Sequence, residues 1–270
     1  MILLILLAIT PAARAREVAT KLRFAHDAML ELRREAGAIE DPALRAAVEA
    51  QILAPWLPAE AWAYAHPQPG VELPPPRKGD FAAAPGGACE DGHHGYPGGL
   101  AVHSLASLLH ARALAQVYRH VYSVEPQRDW LVAAAIWHDS LKAATLPWRE
   151  DGSCGPEGQI AGTPAHHVLG LAAAILRHLP KELVFVIASA HGVERACEWM
   201  QAASVIATGE KTTCPAQTPI EAYIANFADA DYPLTGAAWS QYVAKAPKGW
   251  ARYEALMQDG NELLFFSRSP

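Results

Sequence analysis

Apolar positions recur at three- and four-residue steps along most of the chain, and strict alternation is nowhere sustained. Val18, Leu22, Ala25, Met29 and Leu32 mark one helical face between Pro11 and Gly37, and a second helix is expected from Pro42 to Leu53, ahead of Trp56 and Trp62. From His66 to Gly99 proline and glycine are too dense for a regular element. A loop of that length is functional or a boundary, here expected to fold over an active site. Beyond it helix follows helix. Leu100–Val121 and Asp129–Ala144 are two, and Thr163-Pro164 caps a third running to about Leu179. Pro180 starts one to about Gln201, and Thr218-Pro219 opens one ending near Asp231. Ile160 and Leu183–Ile187 imitate short strands, and turn signals between Leu146 and Gly162 suit a small hairpin. The pattern predicts an all-α bundle with long loops. It divides into an N-terminal helical appendage with a Pro/Gly-rich linker (residues 1–85), a main domain (86–235) and a C-terminal helical extension (236–270).

Composition adds limits. With 270 residues, 51% of them hydrophobic, the chain has ample apolar material for a buried core and is not disordered. The net charge of −6 speaks against a dedicated duplex-binding protein. No apolar run in the body approaches the ~18 residues of a spanning helix, so no integral membrane domain is expected. The four cysteines, Cys89, Cys154, Cys197 and Cys214, form no CxxC pair, which argues against a thiolate zinc site and leaves their pairing open. Met1–Ala15 is apolar, with an Ala-Arg-Ala that imitates an export cleavage site, but no basic residue precedes it. A helix begun at Thr10-Pro11 and a cytoplasmic protein are the expectation, with export left open.

The histidines change the picture most. Ten of the twelve lie between His93 and His191. His103 sits near the apolar stripe of Val102, Leu105, Leu109 and Leu114. His138-Asp139 follows the apolar run Leu131–Trp137, where an ionised carboxylate needs a cation or donors to compensate its burial. Lys142 shares the Asp139 face. His166 and His167 open an apolar helix, His191 closes another, and Asp229 ends a third. Each alone has an ordinary explanation as a cap, a helix terminus or a core imidazole. Together His103, His138-Asp139, His167, His191 and Asp229 put four imidazoles and two carboxylates at the ends of buried helices, spaced by 35, 29, 24 and 38 residues. Such a set suits Mn, Fe, Ni, Mg or Zn, and suffices for two ions if one carboxylate bridges.

This order, H…HD…H…H…D, resembles the HD superfamily of metal-dependent phosphohydrolases. His93-His94-Gly95-Tyr96-Pro97-Gly98-Gly99-Leu100-Ala101-Val102-His103 is similar to the HHxYxGGLxxH segment of the bacterial 3′–5′ exoribonucleases and of HD-type conjugative relaxases. His138-Asp139-Ser140-Leu141-Lys142 resembles HDxxK, Ser189-Ala190-His191-Gly192 resembles SHHG, and Glu221 to Asp229 resembles the closing helix. The resemblance covers about residues 90–235. It implies an HD-domain bundle in which His103, His138, Asp139 and Asp229 hold one divalent ion, and Asp139 bridges to a second held by His167 and His191. His166 rivals His167, since the family usually carries a small residue there.

It further implies that Asp139 and Lys142 are catalytic, Lys142 orienting a phosphate oxygen or the attacking water, and that His93, His94, Tyr96 and Arg149 meet substrate, with Trp148 against a base. Leu141 stands where the family usually has glycine, which is expected to alter the pocket mouth. No OB-fold strands precede the domain, and Glu150, Asp151 and Cys154 would repel a long polyanion. The implied function is therefore hydrolysis of a nucleotide or other small phosphoester, as phosphatase or phosphodiesterase, rather than degradation of a nucleic acid. An HD-fold di-iron oxygenase and a non-catalytic HD signalling or binding module are the alternatives.

Overall fold

The computed structural model describes residues 9–59, 78–90, 92–230 and 232–259. Met1–Ala8, Trp62 and the first part of the Pro/Gly-rich stretch lie outside them, as do Asp231 and the residues after 259. The chain is all-α, as the periodicity predicts. Thr10 accepts a hydrogen bond from the Ala13 amide and Pro11 takes the first helical position, opening α1 (Pro11–Lys21), so Ala13–Ala15 lie inside a helix. The single helix expected up to Gly37 is broken at Leu22. There the backbone turns extended so that a side chain only 1% exposed enters the core, and α2 (Arg23–Gly37) then continues. Asp41 accepts from the Ala43 and Leu44 amides to start α3 (Pro42–Leu53).

Gly98 and Gly99 begin α4 (Gly99–Tyr122) for separate reasons. Gly98 has φ +84°, and a Cβ on Gly99 would lie 1.9 Å from the His94 carbonyl oxygen. The lead-in loop therefore rests directly on the helix start. α5 (Arg128–Trp137) ends earlier than the expected Ala144, and residues 138–141 form a turn before the four-residue α6 (Lys142–Thr145). A small hairpin forms at the end of the expected Leu146–Gly162 segment and past it, with β1 (Gln159–Ile160) antiparallel to β2 (Thr163–Pro164) and Ile160 opposite Thr163; earlier in the segment Trp148 and Cys154 make an isolated bridge. Thr163-Pro164 thus belongs to a strand instead of capping a helix by its side chain, and α7 runs Ala165–Leu176. The helix expected over 180–201 splits into α8 (Lys181–Ser189) and α9 (Ala196–Thr208) around His191-Gly192, where Gly192 has φ +146°. Leu183–Ile187 lies within α8 and is no strand. α10 (Ile220–Ala228), α11 (Tyr232–Lys245) and α12 (Trp250–Asp259) complete the order.

Most helices share one core. Leu32 of α2, Val48 of α3, Leu108 of α4, Ile136 and Trp137 of α5, Leu169 of α7, Val186 of α8 and Met200 of α9 are buried in a single apolar cluster. Several polar groups inside it find partners, as burial favours. Trp137 Nε1 donates to the Gly170 carbonyl at 2.8 Å, and Gln51 donates to Ser140 Oγ at 2.7 Å. Glu35 accepts from both Arg112 and Arg128, tying α2 to α4 and α5. Glu221 Oε1 accepts from the Gln127 amide at 2.7 Å, so α10 supplies the cap that α5 lacks in its own sequence. A second cluster joins Val18 and Leu22 to Tyr96, Trp239, Tyr253 and Leu256. Both cysteine pairs form disulfides, Cys89–Cys154 and Cys197–Cys214. Among the described residues no helix is long and apolar enough to cross a membrane.

Candidate metal centre

Four helix ends and one helix face converge. α4 presents His103 just past its first turn, and the end of α5 presents His138 and Asp139. The start of α7 supplies His166 and His167, the end of α8 supplies His191, and the end of α10 supplies Asp229. Stopping α5 at Trp137 turns the His138-Asp139 pair inward and leaves Leu141, 0% exposed, packed in the main core. Leu141 therefore does not shape the pocket mouth, contrary to the expectation from its departure from glycine. Its space is taken from the core side.

His103 Nε2 lies 3.1 Å from His138 Nε2, 3.2 Å from Asp139 Oδ2 and 2.9 Å from Asp229 Oδ1. His138 Nε2 lies 3.7 Å from Asp139 Oδ2 and 3.4 Å from Asp229 Oδ1. Donors ~2.0–2.2 Å from one ion sit roughly 3.0–3.5 Å from each other, so these four atoms are spaced as ligands of one cation. On the other side, Asp139 Oδ1 faces His166 Nε2 at 2.9 Å and His191 Nε2 at 3.5 Å. Asp139, His166, His167 and His191 form a group able to hold an ion, as do His103, His138 and Asp139.

Orphaned atoms test the fit. Asp139 Oδ1, His166 Nε2, His191 Nε2 and Asp229 Oδ1 are buried without a hydrogen-bond partner. Buried polar atoms left unmatched are costly, and here they point at one another. The ring of His138 is oriented to join them. Its Nδ1 meets the Ala134 carbonyl at 3.2 Å, which places the proton there and leaves Nε2 as a lone-pair donor. A divalent cation satisfies this set.

The electrostatics agree. Burial opposes charge on Asp139, but Lys142, His138 and the nearby ring nitrogens of His103 and His166 hold its carboxyl well below the usual range. Asp229 is likewise held low against its burial, by His138 and by the nearby rings of His103 and His191. Burial pushes His103 down, yet its hydrogen bonds to Asp139 and Asp229 outweigh that and raise it to about 9. Burial and neighbouring imidazoles push His167 well below its usual value, and burial also lowers His191.

Asp139, Lys142, His93, His166, His167, His191 and Asp229 border a cavity of about 640 Å³, with Glu157, Asn226 and Phe227 among the other walls. Lys142 binds both Asp139 and the Gly86 carbonyl, and so holds the lead-in loop against the acid. His93 reaches the cavity, where burial and then His103 lower it to about 2. His94 is buried behind it, with its ring 5.5 Å from that of His103. Tyr96 cannot meet substrate as expected: it is 0% exposed, packed edge-on against Phe24 and Trp239. Nor does Trp148 face a base. Its Nε1 donates to the Ala83 carbonyl and its ring packs near Trp250 and Tyr253. Arg149 is exposed and is not among the residues lining the cavity. Asn226 and Phe227 went unnoticed in the sequence, although they precede Asp229 on the same helix by three and two residues. Glu157 carried no signal at all.

Fold and site together define an all-α protein with a buried His/Asp centre able to hold metal ions. No family model matches the chain, and no solved structure matches it. The dihydroneopterin 2′,3′-cyclic phosphate phosphodiesterase of Methanocaldococcus jannaschii is 31% identical to it over 137 residues, 51% of this chain and 47% of that protein. The chain thus spans about half the length of this relative.

Proposed function

We propose that the chain is a metal-dependent phosphohydrolase of the HD type that cleaves a small phosphodiester, with the chemistry carried by residues 86–235. The observation behind this reading is the convergence of orphaned imidazole nitrogens and carboxylate oxygens, at ligand spacing, on the floor of the cavity. The relative's cyclic phosphate substrate supports a phosphodiester small enough for a cavity of about 640 Å³, within the range of sites for small molecules.

In this reading His103, His138, Asp139 and Asp229 hold one ion. Asp139 would also serve a second, together with His191 and with His166 or His167. Bound divalent cations lower the pKa of water towards neutrality and offset charge developing on phosphoryl oxygens. The chain's own groups do the positioning. The Ala134 carbonyl and Asp229 orient the rings of His138 and His103. Lys142 fixes Asp139 and brings a positive charge to a phosphate oxygen in the cavity. His93, kept neutral, offers a hydrogen bond at the cavity wall. The two disulfides favour an oxidising compartment over the cytoplasm expected from the sequence.

The test is hydrolysis of 2′,3′-cyclic nucleotides and of bis(p-nitrophenyl) phosphate by the purified chain, with chelator and with Mn, Fe(II), Mg, Ni or Zn restored singly. Activity lost on chelation, regained with one of these ions and absent in Asp139→Ala supports the reading. A metal-loaded protein that cleaves no phosphoester overturns it, and oxygen uptake by the iron form would favour an oxygenase.

A further inference from the structure

Glu157 lies outside every motif, in the loop Cys154-Gly155-Pro156-Glu157-Gly158, and yet it is tied to the site. Its carboxylate meets His166 Nδ1 at 2.7 and 2.8 Å through its two oxygens, and Oε1 also accepts from the His166 amide at 2.8 Å. The fully buried Thr145 hydroxyl binds it as well. The other nitrogen of the same ring, His166 Nε2, is aimed at Asp139 Oδ1 at 2.9 Å and has no hydrogen-bond partner. The loop is pinned on both sides of Glu157. Cys154 is bonded to Cys89, the Gly155 amide donates to the Pro147 carbonyl, and the Gly158 carbonyl accepts from the Ala165 amide.

A carboxylate that takes the Nδ1 proton of an imidazole fixes the ring's tautomer and direction, and leaves Nε2 as a lone pair for an ion. We infer that Glu157 is a positioning residue that makes His166 a ligand of the second ion. His167 is differently placed: its Nδ1 meets the Thr163 hydroxyl and its ring stacks on that of His191, with centroids 3.4 Å apart. No carboxylate in the described structure orients it in this way. The expected ligand His167 therefore yields that place to His166, and stacks on His191 at the cavity wall. This inference rests on the metal-centre reading above, but not on the identity of the substrate.

A carboxylate at the start of α7 would also serve as an ordinary helix cap, so the test needs a readout that a cap does not move. Metal dissociation constants are measured for the full chain by titration of Mn(II) or Zn(II) into chelator-stripped protein, with the ion count by elemental analysis and thermal midpoints recorded alongside. In wild type two ions bind. In Glu157→Ala one of the two binds roughly 10- to 100-fold more weakly while the other is unchanged, the size expected for loss of an orienting partner. In the His166→Ala background, adding Glu157→Ala has no further effect on metal binding, and His167→Ala retains two ions. Two ions held by Glu157→Ala at wild-type affinity overturn the inference, even if its thermal midpoint falls. So does loss of the second ion in His167→Ala but not in His166→Ala. Should Glu157→Ala fail to fold, Glu157→Gln decides, because its neutral amide keeps the shape and the cap but weakens the charged hydrogen bond. Unchanged affinity in that variant counts against the inference. A wild type that binds no ion refutes the metal-centre reading itself, whereas a wild type that binds two ions and hydrolyses nothing refutes only the hydrolase.

Discussion

Asp139 and Lys142 provide the sharpest test of the buried electrostatics. Lys142 is 6% exposed, and its ammonium rests on Asp139 and on one backbone carbonyl. Replacing Asp139 by alanine in chelator-treated protein leaves that ammonium with the Gly86 carbonyl alone. His103 and His166 also lose their link to Asp139, which adds to the penalty. Removing one partner of a buried ion pair destabilises by about 3–5 kcal/mol. At ~2–4 °C per kcal/mol for a domain somewhat smaller than this chain, the midpoint should fall by roughly 6–20 °C. Adding Lys142→Met removes the stranded charge and should restore more than half of that loss, since an apolar replacement of both partners is tolerated. The assay is thermal denaturation followed by circular dichroism at pH 7.5 with chelator. If Asp139→Ala melts with the wild type, or the double variant is no more stable than the single one, the attribution to a buried ion pair is wrong.

Four further expectations concern pH and packing. In chelated protein, His103 rises from 6.5 to about 9, so its stabilising contribution is complete below pH 6.5 and lost as pH climbs through 9. At 1.36 kcal/mol per pH unit this amounts to about 3 kcal/mol, read from urea unfolding at pH 6.5, 7.5 and 9. Saturating metal should flatten that decline because the ion replaces the proton, and a flat profile in chelator refutes the assignment. On the acid side, His93, His94 and His167 are held below their usual value by burial, so stability also falls below pH 6.5 as the unfolded chain takes up protons. Asp139 and Asp229 add a further loss below the ordinary carboxylate range. Leu141→Ala should destabilise by about 2–5 kcal/mol with KM unchanged, as its side chain fills core space; a shifted KM with full stability would place it at the pocket after all. Gly99→Ala forces a Cβ against the His94 carbonyl, and should exceed the ~1–3 kcal/mol of ordinary overpacking while raising KM through His93, which equilibrium unfolding and kinetics together check.

The helices were legible in the sequence because their apolar stripes are long, and α3 and α4 start and end within a residue or so of the periodicity. What periodicity did not reveal were the breaks at Leu22, after Trp137 and at His191-Gly192, since an apolar pattern runs through a kink without interruption. The last two breaks are where His138, Asp139 and His191 of the cluster emerge. His103, His138, Asp139, His191 and Asp229 could be gathered from sequence because each ends or interrupts an apolar run. Tyr96 and Trp148 were misread, because an aromatic on a loop looks the same whether it faces solvent, ligand or a second core. Glu157 was invisible for a different reason: its partner is nine residues away across a hairpin, and no local spacing marks the pair.

The second apolar cluster has a consequence for how the protein comes into being. Tyr96, which anchors the lead-in loop, is enclosed by Leu22 and Phe24 from the front of the chain and by Trp239 and Tyr253 from its rear. During synthesis His93, His94, His103, His138 and Asp139 are made long before Tyr253, whereas Asp229 precedes it closely. Until then the loop carrying His93 and His94 has half its backing. The His/Asp cluster therefore gains the full backing of its lead-in loop only after α11 and α12 have been made.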